Sequence, residues 1–139
     1  MSICQHEGTG TVVGHPAGEF AGLIDGTERL LTAAEHPDAM LSGAWHALME
    51  KLVRGLTGYL AGQVRAGCQA IQIFDSWVGA LGPADYAEFA APHSKALIAG
   101  FKASFPHVPL IHFGTGTGQI LEQVQAAGGD VIGVDFQTD

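Results

Sequence analysis

From Trp45 onward the apolar residues fall into alternating helical and strand rhythms. Trp45, Leu48, Met49, Leu52, Leu56, Tyr59, Leu60 and Val64 recur every three or four positions, the spacing of one helix face. They predict an amphipathic helix from about Ala44 to Ala66, stopped by Gly67. Ala70, Ile71, Ile73 and Phe74 then form a run long enough for a core strand and too short for a buried helix. Pro83 suits the first turn of a second helix. Tyr86, Phe89, Ala90, Leu97 and Phe101 line one face of it, and it ends near Ser104, because Pro106 blocks continuation. Val108 to Phe113 reads as a second buried strand, with Pro109 near its start, where a missing N–H is tolerated. Gly114 to Gly118 turns the chain into a short helix over about 119–127, ended by Gly128 and Gly129. Asp130 to Asp135 is a third strand.

This order implies parallel strands near 69–74, 108–113 and 130–135, joined by right-handed crossovers. The fold class is therefore α/β. Three such strands make half a closed (β/α)₈ barrel at most, since a whole one takes about 250 residues. The chain ends four residues after the third strand with no helix to cover it, which favours part of a larger sheet. Residues 1–43 lack this rhythm. Leu23, Leu30 and Leu31 allow a short helix over Ile24–Ala34, and nothing more is legible there. The expected division is an atypical, unassigned segment 1–43 followed by an α/β segment 44–139.

Composition narrows the function classes. The chain has 139 residues, 47% hydrophobic and 14% charged, enough to build a core. Its net charge is −8, and Lys51, Arg54, Arg65, Lys95 and Lys102 are dispersed rather than gathered into a stripe. Phosphate backbones need clustered cations, so no nucleic-acid partner is expected. No apolar run approaches the roughly 20 residues of a membrane span, so no membrane partner is expected. The N-terminus lacks a basic region followed by an apolar stretch. Cys4 and Cys68 make no disulfide framework. These features together predict a reduced, cytoplasmic protein.

Candidate chemistry collects where the strands end, as it does in parallel α/β folds. The three ends carry Asp75-Ser76-Trp77, His112-Phe113-Gly114-Thr115 and Asp135-Phe136. In a barrel they would face a common pocket. Each also has a structural reading: Asp75 as a turn brace, Ser76 satisfying loop backbone, His112 as a hydrogen-bonded core histidine, Asp135 orienting the next loop. The glycines of 114–118 offer amides to an anion at a helix start, but their spacing matches neither a dinucleotide fingerprint nor a P-loop. The seven histidines show no zinc spacing. Ser76 and His112 come from successive strands, yet Ser76 is not on a Gly-x-Ser-x-Gly elbow, so a hydrolase triad is disfavoured.

Several strings, in order, resemble the uroporphyrinogen decarboxylase family from about Ala44 to Asp135. They are Ala44-Trp-His-Ala-Leu-Met-Glu-Lys-Leu52, Tyr59-Leu-Ala-Gly-Gln-Val-Arg-Ala-Gly67, and Gln72-Ile-Phe-Asp-Ser-Trp77 with Gly79, Leu81, Pro83, Asp85 and Tyr86. Pro92-His93, Ile111-His-Phe-Gly-Thr-Gly116 and Ala127-Gly-Gly-Asp-Val-Ile-Gly-Val-Asp135 complete the series. The resemblance implies a partial (β/α)₈ TIM barrel. It also implies a carboxy-lyase that removes four acetate carboxyls of uroporphyrinogen as CO₂, giving coproporphyrinogen for heme biosynthesis. No metal or organic cofactor is implied, and the complete enzyme is expected to be a homodimer. Among the family's substrate contacts, Ser76 matches the serine or threonine after Phe-Asp or Phe-Glu, and Phe74 matches a pocket-wall phenylalanine. No catalytic residue is identified: the family's Arg-Gln-Ala-Gly-Arg motif, its aspartate-bearing strand and its C-terminal histidine segment have no match here. Phe20-Ala-Gly22 is similar to a family Phe-Ala-Gly-Ala-Pro, but Leu23-Ile-Asp-Gly26 follows. The expectation is an incomplete, inactive and self-associating fragment that binds a tetrapyrrole only by family resemblance. One alternative is a cobalamin-dependent methyltransferase barrel. Such enzymes place a His-x-Cys and zinc near this strand, whereas His112-Phe113-Gly114 has no cysteine. The other is a non-enzymatic remnant.

Overall fold

A computed structural model describes residues 3–5 and 43–138. The helix considered over Ile24–Ala34 lies outside the described residues. The architecture is one four-stranded sheet in the order β1-β2-β3-β4, with helices packed on one side.

Helix α1 spans Gly43–Arg65, within a residue or so of the length expected from its apolar spacing. Gly67 ends the turn that follows with φ 106°, a left-handed conformation that costs a glycine little. Strand β2 spans Ala70–Asp75. Strand β3 spans Leu110–Gly114, two residues later than Val108. Pro109 supplies the reason, because it has no N–H to donate, although its carbonyl still accepts from Ile71 N at 2.9 Å. Strand β4 spans only Val131–Gly133 and is shorter than the 130–135 expected. Strands β2, β3 and β4 are parallel, with Phe74 beside Phe113 and Phe113 beside Gly133. The parallel order inferred from the alternation is therefore the order observed.

The second helix is not continuous. A single turn, α2 (Pro83–Asp85), leads into a π-helical turn over Tyr86–Ala90 and then α3 (Ala91–Ser104). Pro92 lies at the start of α3, where its ring would collide with the carbonyl one turn back in a regular helix. The widened turn accommodates it, with Ala91 N–H reaching Tyr86 O. Trp45 Nε1 donates to Phe89 O at 2.9 Å and ties α1 to this turn. A 3₁₀ turn, Gly118–Ile120, precedes the short helix α4 (Leu121–Ala127).

Two further findings depart from the sequence-based expectations. Strand β1 (Ile3–Gln5) pairs antiparallel with β2, placing Cys4 beside Ile71. The β2 edge is therefore covered by β1. Cys68 is disulfide-bonded, which corrects the reduced state expected of the cysteines.

The core lies between the sheet and its helices. Leu60, Cys68, Ile71, Leu97, Ile98, Phe101 and Leu110 form one cluster; Val78, Tyr86, Ile120 and Val124 form a second, with Ile132 packed on it. Each large side chain removed from water contributes about 1.5–3 kcal/mol, so α1 and α3 are held by burial rather than propensity. Lys102 Nζ meets Asp130 Oδ2 at 2.8 Å, and the same carboxylate oxygen accepts Leu110 N at 2.8 Å. The Lys102 hydrogen bond, then the Leu110 amide, hold the Asp130 carboxyl below its usual range.

Candidate functional site at the strand ends

Strand alternation sorts the candidates onto two faces. Ile71, Ile73 and Leu110 belong to the helix-side core. The intervening positions Phe74 and Phe113 therefore face the other way, the side that lines the interior of a barrel. Their rings meet edge to face with centroids 5.5 Å apart. Val131 and Gly133 share that face by register, and a Cβ on Gly133 would sit 2.8 Å from Phe113 Cδ2. The absence of a side chain at Gly133 makes room for the Phe113 ring.

Asp75 and His112 fall on the opposite, helix-facing side. The expectation that all three strand ends supply polar groups to one pocket is corrected for these two residues. Asp75 Oδ2 accepts from Ser94 Oγ at 3.5 Å, from α3. Burial raises the Asp75 carboxyl above its ordinary value; His112 and the Ser94 hydrogen bond oppose that shift without cancelling it. Tyr86 is fully buried, and its hydroxyl has no hydrogen-bond partner. Its pKa is pushed up to about 12 by burial, with the nearby Asp75 adding to the effect. His112 is 1% exposed, and its Nδ1 lies 3.2 Å from Gly128 O. It is a hydrogen-bonded core histidine. A Ser76–His112 dyad is excluded by this geometry, because Ser76 is exposed beyond the sheet edge while His112 is buried behind it.

The loops after the three parallel strands are laced together. Ser76 O accepts from Thr115 Oγ1. Gly116 N donates to Asp135 Oδ2 at 3.0 Å, and Thr138 Oγ1 donates to Asp135 Oδ1 at 2.9 Å. The Thr138 hydroxyl first, helped by backbone amides including Gly116, holds the Asp135 carboxyl below its usual range. The Gly116 amide, a candidate for anion binding from sequence, is thus occupied by a carboxylate of the chain itself. Gly79 lets the β2 loop lie directly on the β3 loop: a Cβ there would be 2.5 Å from Gly116 O. Past Ser76, Trp77 is 88% exposed, whereas Val78 turns back into the core.

The strand ends therefore present an aromatic wall, Phe74 and Phe113, with the exposed Ser76 and Trp77 at its rim. Among the described residues, no group of three or more His, Cys, Asp or Glu side chains is placed to hold a metal ion. No helix among them is long and apolar enough to cross a membrane. Sequence reasoning named Thr115 among the strand-end residues and Tyr86 on an apolar helix face, but gave neither a role of its own. Thr115 stood inside a quoted motif, but nothing in the string indicates a hydroxyl reaching the neighbouring loop.

Comparison with known proteins decides the family. Residues 26–139 match the family described as Uroporphyrinogen decarboxylase (URO-D). The chain belongs to the uroporphyrinogen decarboxylase family. The match starts ahead of the Ala44 from which the motifs are recognisable. A uroporphyrinogen decarboxylase of Solibacter usitatus is 53% identical over 93 residues, covering 67% of this chain and 26% of that protein. That of Thermus thermophilus is 49% identical over 94 residues, covering 68% of this chain and 27% of the relative. The aligned part thus spans about a quarter of the length of these curated relatives. The fold seen here is accordingly part of an α/β barrel, with the helices outside and the Phe74–Phe113 face inside.

Proposed function

We propose that this chain carries one substrate-binding wall of a uroporphyrinogen decarboxylase barrel, formed by Phe74, Ser76 and the ring of Phe113. The substrate is a tetrapyrrole with acetate arms. Its apolar ring system suits the aromatic face, and the Ser76 hydroxyl at the rim suits a carboxylate arm. The observation that carries the reading is the edge-to-face Phe74–Phe113 pair on the interior face, with exposed Ser76 immediately beyond it. The reaction of the complete barrel is decarboxylation of uroporphyrinogen to coproporphyrinogen, without metal or organic cofactor. Residues 44–139 form the barrel segment in this reading, and 1–43, whose Ile3–Gln5 strand pairs with β2, are left unassigned. The cations and the aspartate that the reaction needs have no match in the sequence, so the chain binds rather than turns over. A cytoplasmic location and a homodimeric complete enzyme belong to the same reading, and so does self-association of this chain.

Trp77 supplies the test. A uroporphyrin titration of the 139-residue chain should quench its fluorescence saturably, and Trp77→Phe should remove most of that signal. Phe74→Ala should weaken binding about two- to tenfold, the worth of an aromatic pair. An absence of saturable quenching, or equal affinity in Phe74→Ala, refutes the binding wall.

A further inference from the structure

The rim residue Ser76 sits in an exposed turn, and an exposed turn does not orient a side chain by itself. Two features remove that freedom. The carbonyl of Ser76 accepts the Thr115 hydroxyl from the loop after β3. The Gly79 backbone lies against the carbonyls of Thr115 and Gly116, at a spacing that excludes even a methyl group.

The β3 loop is fixed in turn. Gly114 closes its near end, since a Cβ there would sit 2.6 Å from Thr117 Cγ2 and 3.1 Å from Val78 Cγ1. Gly116 has φ +64°, which lets its N–H point at Asp135 Oδ2, 3.0 Å away. Asp135 is itself oriented by Thr138 Oγ1 at 2.9 Å. One hydroxyl and one carboxylate thus connect the loops after β2, β3 and β4 in series. The strand register alone aligns Asp75 with Gly114, and all of these contacts lie beyond that last pair.

We propose that Thr115 and Asp135 are positioning residues for Ser76: Asp135 sets the β3 loop, and Thr115 passes that setting to the Ser76 carbonyl and so to its side chain. Neither residue touches the ligand in this scheme. The inference rests on the tetrapyrrole-wall reading for the use of Ser76, and on the hydrogen bonds alone for the coupling of the loops.

The variants are Thr115→Val, which keeps the shape and removes the donor, and Thr115→Ser, which restores the donor. Asp135→Ala removes the acceptor for Gly116. Two readouts are taken on the full chain: amide hydrogen exchange at Ser76, Trp77 and Val78, and uroporphyrin affinity from Trp77 quenching. Thr115→Val should speed exchange at those amides and weaken uroporphyrin binding about two- to tenfold, the range of one hydrogen bond. Thr115→Ser should return both to within about twofold of the parent, a rescue that simple loss of packing would not give. Asp135→Ala should speed the same exchange in the parent but add little in the Thr115→Val background, because its effect travels through Thr115. If the parent binds no uroporphyrin, the wall reading fails and exchange alone decides the coupling. Exchange unchanged in Thr115→Val, or no rescue by Thr115→Ser, overturns the proposal in either case.

Discussion

Replacing Gly79 with alanine should be among the most damaging single-methyl changes in the chain. The added Cβ would lie 2.5 Å from Gly116 O and 2.6 Å from Gly116 C, and closer still to Thr115 O. All three neighbours are backbone, so no flexible side chain can move aside. Ordinary contact begins near 3.4 Å, so one loop must retreat by roughly 1 Å. Overpacking of that kind costs about 1–3 kcal/mol. The retreat also breaks the Thr115–Ser76 hydrogen bond, adding about 0.5–1.5 kcal/mol. The total is about 1.5–4.5 kcal/mol, equivalent to a fall in Tm of roughly 6–18 °C at about 4 °C per kcal/mol. Gly62→Ala is the matched control, because Gly62 is exposed on α1 with nothing within 4 Å of its added Cβ. That substitution should stabilise by about 0.5–1 kcal/mol through helix propensity. Urea unfolding followed by far-UV circular dichroism reads both. A Gly79→Ala variant within about 0.5 kcal/mol of the parent would refute the close loop packing on which the rim geometry depends.

Purified chain should convert no uroporphyrinogen above the spontaneous rate, and coproporphyrinogen formed by a contaminant-free sample would contradict the missing aspartate and arginine motifs. Acidification should weaken the α1–α3 contact, where His46 Nδ1 lies 2.9 Å from His93 Nε2. Burial first, then the charge of His46, lower the His93 pKa from 6.5, with Glu50 opposing. A depressed histidine contributes stability that is present above its unfolded value of about 6.5 and is lost as pH falls through the folded value. Asp75 acts with the opposite sign: its raised pKa gives a contribution present below 3.8 and lost as pH rises through the folded value. The His93 effect is therefore read as a difference, and His93→Gln should lose less stability than the parent between about pH 7 and pH 5; parallel curves would discount it. Self-association is expected because Trp77 and Phe136 are 88% and 95% exposed and Val131 and Val134 about half exposed. A sharp monomer peak by size exclusion with light scattering, together with cooperative unfolding, would contradict it.

The sequence by itself determined the layering of this protein. Periods of three to four and short apolar runs depend on which residues must leave water, so α1, β2 and the parallel order are legible in the chain itself. The ordered strings from Gln72 to Trp77 and from Ile111 to Gly116 likewise carried the family. Local chemistry then shifted boundaries: Pro109 delayed β3, and Pro92 widened the helix that a simple apolar stripe made continuous. Only the tertiary structure decided which strand-end residues share a face. Asp75 and Ser76 are adjacent in the chain, yet one is turned to the helices and the other stands at the rim. His112 and Phe113 divide in the same way, because each step along a strand reverses direction. Neither the antiparallel pairing of Ile3–Gln5 with β2 nor the Asp135–Gly116–Thr115–Ser76 series leaves a periodic trace. Both consist of contacts between segments far apart in the chain, and such contacts exist only once the sheet has brought those segments together.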